Sequence, residues 1–405
     1  MRILVVNQHY WPEIAATAQL LSDLCEDIAA AGHDVTVICG QPSYRVTDPG
    51  QRKLPAEEVH RGVRIVRVPN YAPTRRDIPR RLAHYGSFFA SAQLASLTQP
   101  RFDVALVLST PPLLLGVQGT LLRLLRGIPF VQSVQDLYPD IALNLGVLKP
   151  GLLASGLEAV AGVLYRQAAA IVTLSDAMAS ALERKGVYRG RITVIPNWMD
   201  TDAVHPSPRD NALARELGLT GRFVVLYSGN VGLSQGLEHL PDVAEGISDL
   251  PVDLVVAGDG NARPGLERAI RERGLANLRL QPPQPRERLN ELLASCEVGL
   301  VTMRRGIASD LVPSKLYGIM AAGRPVLASV EAGSEVAKVL GETGAGVTVA
   351  PEDPSALADA IRALASSPER LPAMGDAGRA AAVARYSRKA ATASYLDVLQ
   401  RVADG

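Results

Sequence analysis

The chain reads as an α/β protein made of two doubly wound parallel-sheet domains facing a central cleft. Three observations predict this. Short runs rich in Val, Ile and Leu alternate with longer stretches of helical periodicity from end to end, the pattern of parallel sheets covered on both faces. The runs fall into two series, each about 180 residues long. The length, 405 residues, exceeds that of one typical domain.

In the first series the apolar runs are residues 3–7, 34–39, 63–68, 104–109, 130–134, 171–174 and 193–195. In the second they are residues 224–228, 253–257, 278–280, 298–301, 326–329 and 346–349. Periodicity lapses around Pro196, Pro206 and Pro208, where turn-forming residues gather. The expected division is therefore an N-terminal Rossmann-like domain over 1–205 and a C-terminal Rossmann-like domain over 206–385. A last helix over 386–405 is expected to pack back on the first domain.

Composition narrows the function classes. A net charge of +1 argues against nucleic acid as a partner. Residues 1–200 carry 20 Lys and Arg against 16 Asp and Glu, whereas 201–405 carry 22 against 25, so an anionic surface would meet the first half. Cys25, Cys39 and Cys296 lack CxxC spacing, which argues against a disulfide framework or a zinc site and for a reducing cytoplasm. The start, Met1 to Asn7, turns polar too early for a signal peptide. The apolar stretch 104–125 is broken by Pro111, Pro112, Gln118 and Arg123, so a strand and a helix fit it better than a membrane span.

Ligands of open parallel sheets lie beyond the carboxyl ends of the strands, so the loops there carry the candidate chemistry. After the first strand come His9, Tyr10, Trp11, Glu13 and Thr17, a mixture of aromatic and hydrogen-bonding groups suited to a sugar acceptor. A surface loop whose Tyr10 and Trp11 pack on their own domain fits equally. Arg75, Arg76, Arg80 and Arg81 lead into an amphipathic stretch over 82–97 with Tyr85, Phe88 and Phe89; cations beside aromatics suit anionic lipid headgroups, and a solvated helix end is the alternative. After the run 130–134 stand Gln135, Asp136 and Asp140. Asp136 is placed to orient a hydroxyl, and Asp140 equally to cap the next helix.

In the second domain Gly229, Asn230 and Gln235 follow the strand 224–228, and Gly258, Asp259 and Gly260 follow 253–257. Glycines there allow backbone to approach a ligand closely. Neither turn has the GxGxxG order of a dinucleotide site. Pro313, Ser314, Lys315, Leu316 and Tyr317 open a helix that Gly323 and Pro325 end. Its N-terminus and the lysine charge suit a phosphate.

These loops together resemble the retaining glycosyltransferases of family 4, of GT-B architecture with two Rossmann-like domains. The resemblance is carried by Trp11-Pro12-Glu13, Gly32-His33-Asp34-Val35-Thr36-Val37, Ile195-Pro196-Asn197-Trp198-Met199-Asp200, Tyr227-Ser228-Gly229-Asn230, Gly258-Asp259-Gly260 and Pro313-Ser314-Lys315 with Ala321-Ala322-Gly323-Arg324-Pro325-Val326. The wording Val134-Gln135-Asp136-Leu137-Tyr138-Pro139 is closer to the O-antigen and capsule subgroup, which includes fucosamine transferases. Departures are specific. Asn230 and Gln235 stand where the family has an Arg and a Lys, and Asp310 and Gly318 where it has two glutamates that contact the donor sugar and the ribose. Gln135 replaces a histidine. Lys315, with Arg304 or Arg305, is then expected to carry more of the phosphate charge, and Tyr317 or backbone to replace the ribose contact.

The resemblance implies a hexosyltransferase (EC 2.4) moving a sugar, with retention, from a nucleoside-diphosphate sugar to an acceptor hydroxyl in cell-surface glycan synthesis. A UDP-sugar is favoured over a GDP-sugar. The base is expected near 280–283 and the ribose near 258–260. No cofactor or metal is required, because no DxD-type cluster occupies a strand-end loop. The resemblance implies that the acceptor binds the N-terminal domain and the nucleotide-sugar the C-terminal one. The expected acceptor is a saccharide or lipid-linked saccharide, a soluble acceptor fitting nearly as well, and the expected location is the cytoplasm, with peripheral contact at the inner membrane face as the alternative to a free protein. Asp136, Asp310 and Lys315 are the candidate catalytic residues. Two alternatives remain open: a nucleotide-sugar epimerase on the same fold, and a non-catalytic nucleotide-binding partner in a glycan assembly complex.

Overall fold

The computed structural model describes residues 1–13, 15–42, 53–71, 78–108, 113–144, 146, 148–307 and 312–405. The chain forms two compact units, residues 1–196 with 388–405, and residues 197–387.

The first unit runs β1 (Arg2–Val6), α1 (Ala16–Ala30), β2 (Asp34–Gly40), β3 (Glu57–His60), β4 (Val63–Val68), α2 (Ile78–Thr98), β5 (Val104–Leu108), α3 (Leu114–Arg126), β6 (Phe130–Val134), α4 (Asp140–Asn144), α5 (Leu152–Gln167), β7 (Ala170–Thr173), α6 (Asp176–Arg184) and β8 (Ile192–Val194). Its sheet has the order β3-β4-β2-β1-β5-β6-β7-β8. Neighbours are parallel except β3, which is antiparallel to β4. That edge strand is missing from the sequence reading because Glu57-Glu58-Val59-His60 alternates exposed and half-buried positions instead of forming a continuous apolar run. Right-handed crossovers carry β1 to β2 in one direction across the sheet and β4 to β5 to β6 in the other. Helix α1 therefore covers one face, and α2, α3 and α5 the opposite one.

The second unit contains α7 (Ala212–Glu216), β9 (Phe223–Ser228), α8 (Leu240–Gly246), β10 (Val252–Ala257), α9 (Arg263–Arg273), β11 (Leu278–Gln281), α10 (Leu289–Ala294), β12 (Val298–Thr302), α11 (Lys315–Ala321), β13 (Val326–Ser329), α12 (Glu335–Thr343), β14 (Gly346–Val349), α13 (Pro354–Ser366) and α14 (Leu371–Arg385). Its all-parallel sheet has the order β11-β10-β9-β12-β13-β14, the doubly wound order with a switch point between its first and fourth strands. Val225, Tyr227, Leu254, Val256, Leu300 and Leu327 form the buried centre. Gly299 is required there, because a Cβ would lie 2.4 Å from the Ile319 side chain and push α11 off the sheet.

Residues 197–205, which the sequence reading assigns to the first domain, join the second unit through hydrogen bonds. The Met199 N–H donates to Tyr386 O at 2.9 Å, and the Arg379 guanidinium donates to Thr201 O at 3.0 Å and Val204 O at 2.9 Å. The final helix, α15 (Arg388–Asp404), returns to the first unit. Arg388 meets Asp23 at 2.9 Å and Asp27 at 2.6 Å on α1, and Tyr395 Oη lies 2.9 Å from Ser133 Oγ beneath β6.

Candidate active site

At the switch point of the second unit the chain leaves β9 toward β10 and leaves β12 toward β13, so their loops part and open a crevice. Gly229 begins the β9 loop with φ +139°, and its N–H donates to Ala257 O at 3.0 Å. The β10 loop presses against it. A Cβ on Gly258 would lie 1.9 Å from Gly229 O, and one on Gly260 2.3 Å from Val231 O. Val231 N–H donates to Asp259 O at 3.0 Å, while Asp259 Oδ1 accepts from the Gly260 N–H at 2.8 Å. These two glycine loops thus form one backbone-lined floor. Arg263 ties that floor to the end of β11, donating to Gly258 O at 2.5 Å and Gln281 O at 2.8 Å.

Lys315, the first residue of α11, reaches the same floor. Its Nζ donates to Tyr227 Oη at 3.0 Å and sits 4.5 Å from the centre of the Tyr227 ring. The phenol in turn donates to Asn230 O at 2.6 Å. Burial of the ammonium pulls the Lys315 pKa down to about 8, and burial pushes the Tyr227 phenol up, so it stays a neutral relay. A single poised cation therefore stands over the Gly229–Asn230 backbone, which is what a diphosphate needs.

The neighbouring residues divide into those that face this crevice and those that do not. Ser314 is partly exposed at the start of α11. Pro313 and Leu316 are buried, and the N–H groups of Leu316 and Tyr317 close onto Pro313 O and Ser314 O. Tyr317 is fully buried, its ring tilted against that of Tyr386 with centroids 4.6 Å apart; it presents no surface to a ribose. Gly318 points at Met199 and Leu293, 3.1 and 3.4 Å from where its Cβ would be, so no longer side chain fits without displacing them. Gln235 Oε1 accepts from the Gly232 N–H at 3.1 Å, and its Nε2 donates to Ser234 Oγ at 2.9 Å. The Asn230 amide folds over Gly232. Both amides thus hold the loop's own shape. Arg304 pairs with Glu238 and Glu352, and Arg305 lies 3.8 Å from Glu352, so their charge is already balanced. Asp310 lies outside the described residues.

Two family descriptions match the chain: a glycosyl transferase 4-like domain over residues 16–198 and glycosyl transferases group 1 over residues 210–381. The putative colanic acid biosynthesis glycosyl transferase WcaI of Escherichia coli is 32% identical over 375 residues, covering 89% of this chain and 91% of that one. The probable glycosyltransferase WbjE of Pseudomonas aeruginosa is 32% identical over 279 residues, with coverage of 68% and 69%. The chain belongs to glycosyltransferase family 4. Its two parallel-sheet units are those of the GT-B architecture. Sucrose-phosphate synthase from Thermosynechococcus elongatus superposes with a TM-score of 0.81 at 19% identity, covering 99% of each chain. Anabaena HepE in complex with UDP-glucose does so with a TM-score of 0.73 at 18% identity, covering 100% of this chain and 98% of that one.

In this family 4 glycosyltransferase the loop after β1 is more committed to its own unit than its composition suggests. Tyr10 is 3% exposed, with its hydroxyl against Cys25. Trp11 stacks on His60 at 4.0 Å, and buried Arg67 donates to Trp11 O at 3.2 Å while pairing with Glu58 at 2.6 Å. Tyr10 and Trp11 therefore pack on their own domain, the second of the two readings of this loop. What stays toward the carboxyl end of β1 is a pair: His9 Nδ1 lies 2.5 Å from Glu13 Oε2. Thr17 is partly exposed in the first turn of α1. Asp136 is half-buried after β6, close enough to the Tyr165 phenol to raise its pKa, and Asp140 pairs with Lys185 at 2.9 Å at the head of α4. Arg75 and Arg76 lie outside the described residues.

Tyr227 and Arg263 are the two site residues that sequence reasoning missed. Tyr227 was visible inside the Tyr227-Ser228-Gly229-Asn230 motif, but as one more apolar strand residue. Arg263 was hidden among the charged positions of a solvent-facing helix.

Proposed function

We propose that this family 4 enzyme transfers a hexose-type sugar from a nucleoside-diphosphate sugar, with retention, to a saccharide or lipid-linked saccharide in cell-surface glycan synthesis. The observation that carries the donor half is the Lys315–Tyr227–Asn230 chain above the Gly229 and Gly258–Gly260 floor. The diphosphate would lie on that floor beside Lys315 and Ser314, the ribose near Gly258–Gly260, and the base by Gln281 and Pro282. Charge growing on the departing diphosphate is stabilised more in the transition state than in the ground state by a preorganised ammonium and backbone donors. No side chain is assigned as a dedicated base; a donor phosphate oxygen takes the acceptor's proton as the sugar leaves on the same face.

UDP is the favoured carrier, a preference supported by the UDP-glucose complex of HepE. The glycan setting is supported by the colanic acid assignment of WcaI. The acceptor is assigned to the first unit, to His9 and Asp136 with Glu13 holding the imidazole from behind, and the cell location to the cytoplasmic side of the inner membrane, where three free, buried cysteines stay reduced. A thermal-shift series with UDP, GDP, ADP and dTDP tests the donor. A ligand at a hundred times its Kd adds about 2.7 kcal/mol, so UDP should raise Tm clearly above the others. No shift with any of the four would overturn the reading.

A further inference from the structure

Helices α2, α3 and α5 form one layer on the first unit, and their outward faces are apolar where a soluble helix layer is normally charged. On α5 the exposed Leu152, Leu153, Gly156, Ala159, Val160 and Val163 form one continuous stripe, with the exposed Ser155, Glu158 and Arg166 outside it; Leu152 is 95% and Leu153 69% exposed. The stripe covers about a third of the helix circumference, opposite the buried Ala154, Ala161 and Tyr165. On α3, Leu124 and Leu125 stand outward, and on α2, Leu82 and Leu94. A single acidic residue, Glu158, occurs on the three helices, off the apolar stripe, against Arg80, Arg81, Arg123, Arg126 and Arg166.

The rim adds cations and an aromatic. Arg166 Nη1 donates to Lys185 O at 2.9 Å, and Arg191 Nη1 lies 3.5 Å from Arg166 O. These contacts bring Tyr188, 74% exposed, together with Arg184 and Arg191 to the end of α5, beside Arg189, which lies 3.9 Å from Glu183. Exposed leucines and valines along the layer, with arginines and a tyrosine beside them at the end of α5, match a bilayer, whose acyl region takes the former and whose anionic headgroups take the latter. None of the described helices is long and apolar enough to cross a membrane, so the contact is one of lying on the surface.

We infer that the α2–α3–α5 layer seats this enzyme on a bilayer containing anionic phospholipid. Helix α5 begins at the carboxyl end of the sheet, on the chain that leaves the Asp136 loop, so Leu152 and Leu153 stand at the acceptor end of the unit. The inference deepens, and for its purpose rests on, the proposed lipid-linked acceptor.

The test is flotation of the full chain with vesicles of phosphatidylcholine, with and without phosphatidylglycerol, with UDP thermal shift measured on the same samples. The wild type should float with the anionic vesicles and lose binding as salt rises. Leu152→Glu with Leu153→Glu should weaken flotation about tenfold or more, while Val59→Glu, exposed on the far edge strand β3, should leave it unchanged. An unchanged UDP shift and melting curve in the double variant show that the protein is folded and still binds donor. Flotation of the double variant equal to wild type would overturn the docking face. So would absence of wild-type flotation, or conversion of a wild-type dimer to monomer by the double variant without vesicle binding. A lost donor response in the wild type would instead count against the proposed function.

Discussion

Lys315 Nζ donates to Tyr227 Oη across 3.0 Å, joining the first residue of α11 to the strand β9 beside it. Because the phenol passes its own proton toward Asn230 O, the lysine is oriented over the β9 loop instead of wandering in solvent. Under the proposed function, this fixed ammonium would compensate for Asn230 and Gln235 standing where the resemblance implies an Arg and a Lys.

Lys315→Ala should therefore reduce donor affinity or kcat/KM by about tenfold to hundredfold, since a hydrogen bond to a charged group is worth roughly 1.5–3 kcal/mol. Tyr227→Phe should be milder, on the order of threefold to tenfold, because the ammonium stays but loses its alignment. Steady-state kinetics with varied donor checks both. Equal losses in the two variants would mean that the phenol does more than orient.

The lowered pKa gives the site a pH signature. Below about pH 8 Lys315 is charged and ready for a diphosphate; above it the free enzyme must take up a proton on binding donor. Between pH 7 and pH 9 donor affinity should fall about tenfold, and Lys315→Arg should flatten that slope. Stability of the unliganded protein moves the other way. From about pH 8 to the ordinary lysine value of 10.5 the unfolded chain holds the proton more tightly, so folding is favoured as pH rises. Calorimetric titration and melting curves across that range check the two signs.

Gly258→Ala should be damaging well beyond the size of a methyl group. Its Cβ would lie 1.9 Å from Gly229 O, so the two loops of the donor floor must separate. The expected cost is about 1–3 kcal/mol of stability with loss of the UDP thermal shift. Gly265→Ala, on α9 with nothing within 4 Å, is the matching control and should keep both.

The fold was legible because buried parallel strands leave continuous apolar runs, and every such run of the second unit became a strand. The edge strand β3 escaped because half-exposed strands do not write that signal. The close approach of the two glycine loops was legible for a related reason: glycine at a strand end marks backbone that must come close to something. What could not be read was the direction of side chains. Tyr317 sits two residues from Lys315, yet helical geometry turns it inward onto Tyr386. Gln235 could be seen as a replacement for a cation, but not that its amide would close on Gly232. Seven-residue α11 is too short for periodicity to show which face is buried.

The clasp between α15 and α1 makes a stability prediction remote from the donor site. Arg388 is held by Asp23 at 2.9 Å and Asp27 at 2.6 Å, and these carboxylates raise its pKa beyond the ordinary arginine value against the effect of burial. Arg388→Ala would leave the buried Asp23 and the half-buried Asp27 without this cation. Breaking one side of such a pair costs about 3–5 kcal/mol, so Tm should fall by many degrees while donor affinity per folded molecule is retained. Arg388→Ala combined with Asp23→Asn and Asp27→Asn should recover part of the loss.

The pair His9–Glu13 supplies the prediction for the acceptor side. Glu13 is buried and its N–H is held by Tyr10 O at 3.0 Å, so it fixes the imidazole at 2.5 Å instead of meeting substrate itself. His9→Ala should raise acceptor KM or lower kcat about tenfold while donor affinity stays unchanged, because the residues proposed to grip the diphosphate belong to the other unit. Glu13→Gln keeps a hydrogen bond to the imidazole but removes the charge behind it. It should therefore keep melting behaviour near wild type and lower activity less than His9→Ala does, because the imidazole stays in place. An acceptor KM untouched by both substitutions would place the acceptor on another loop of the first unit.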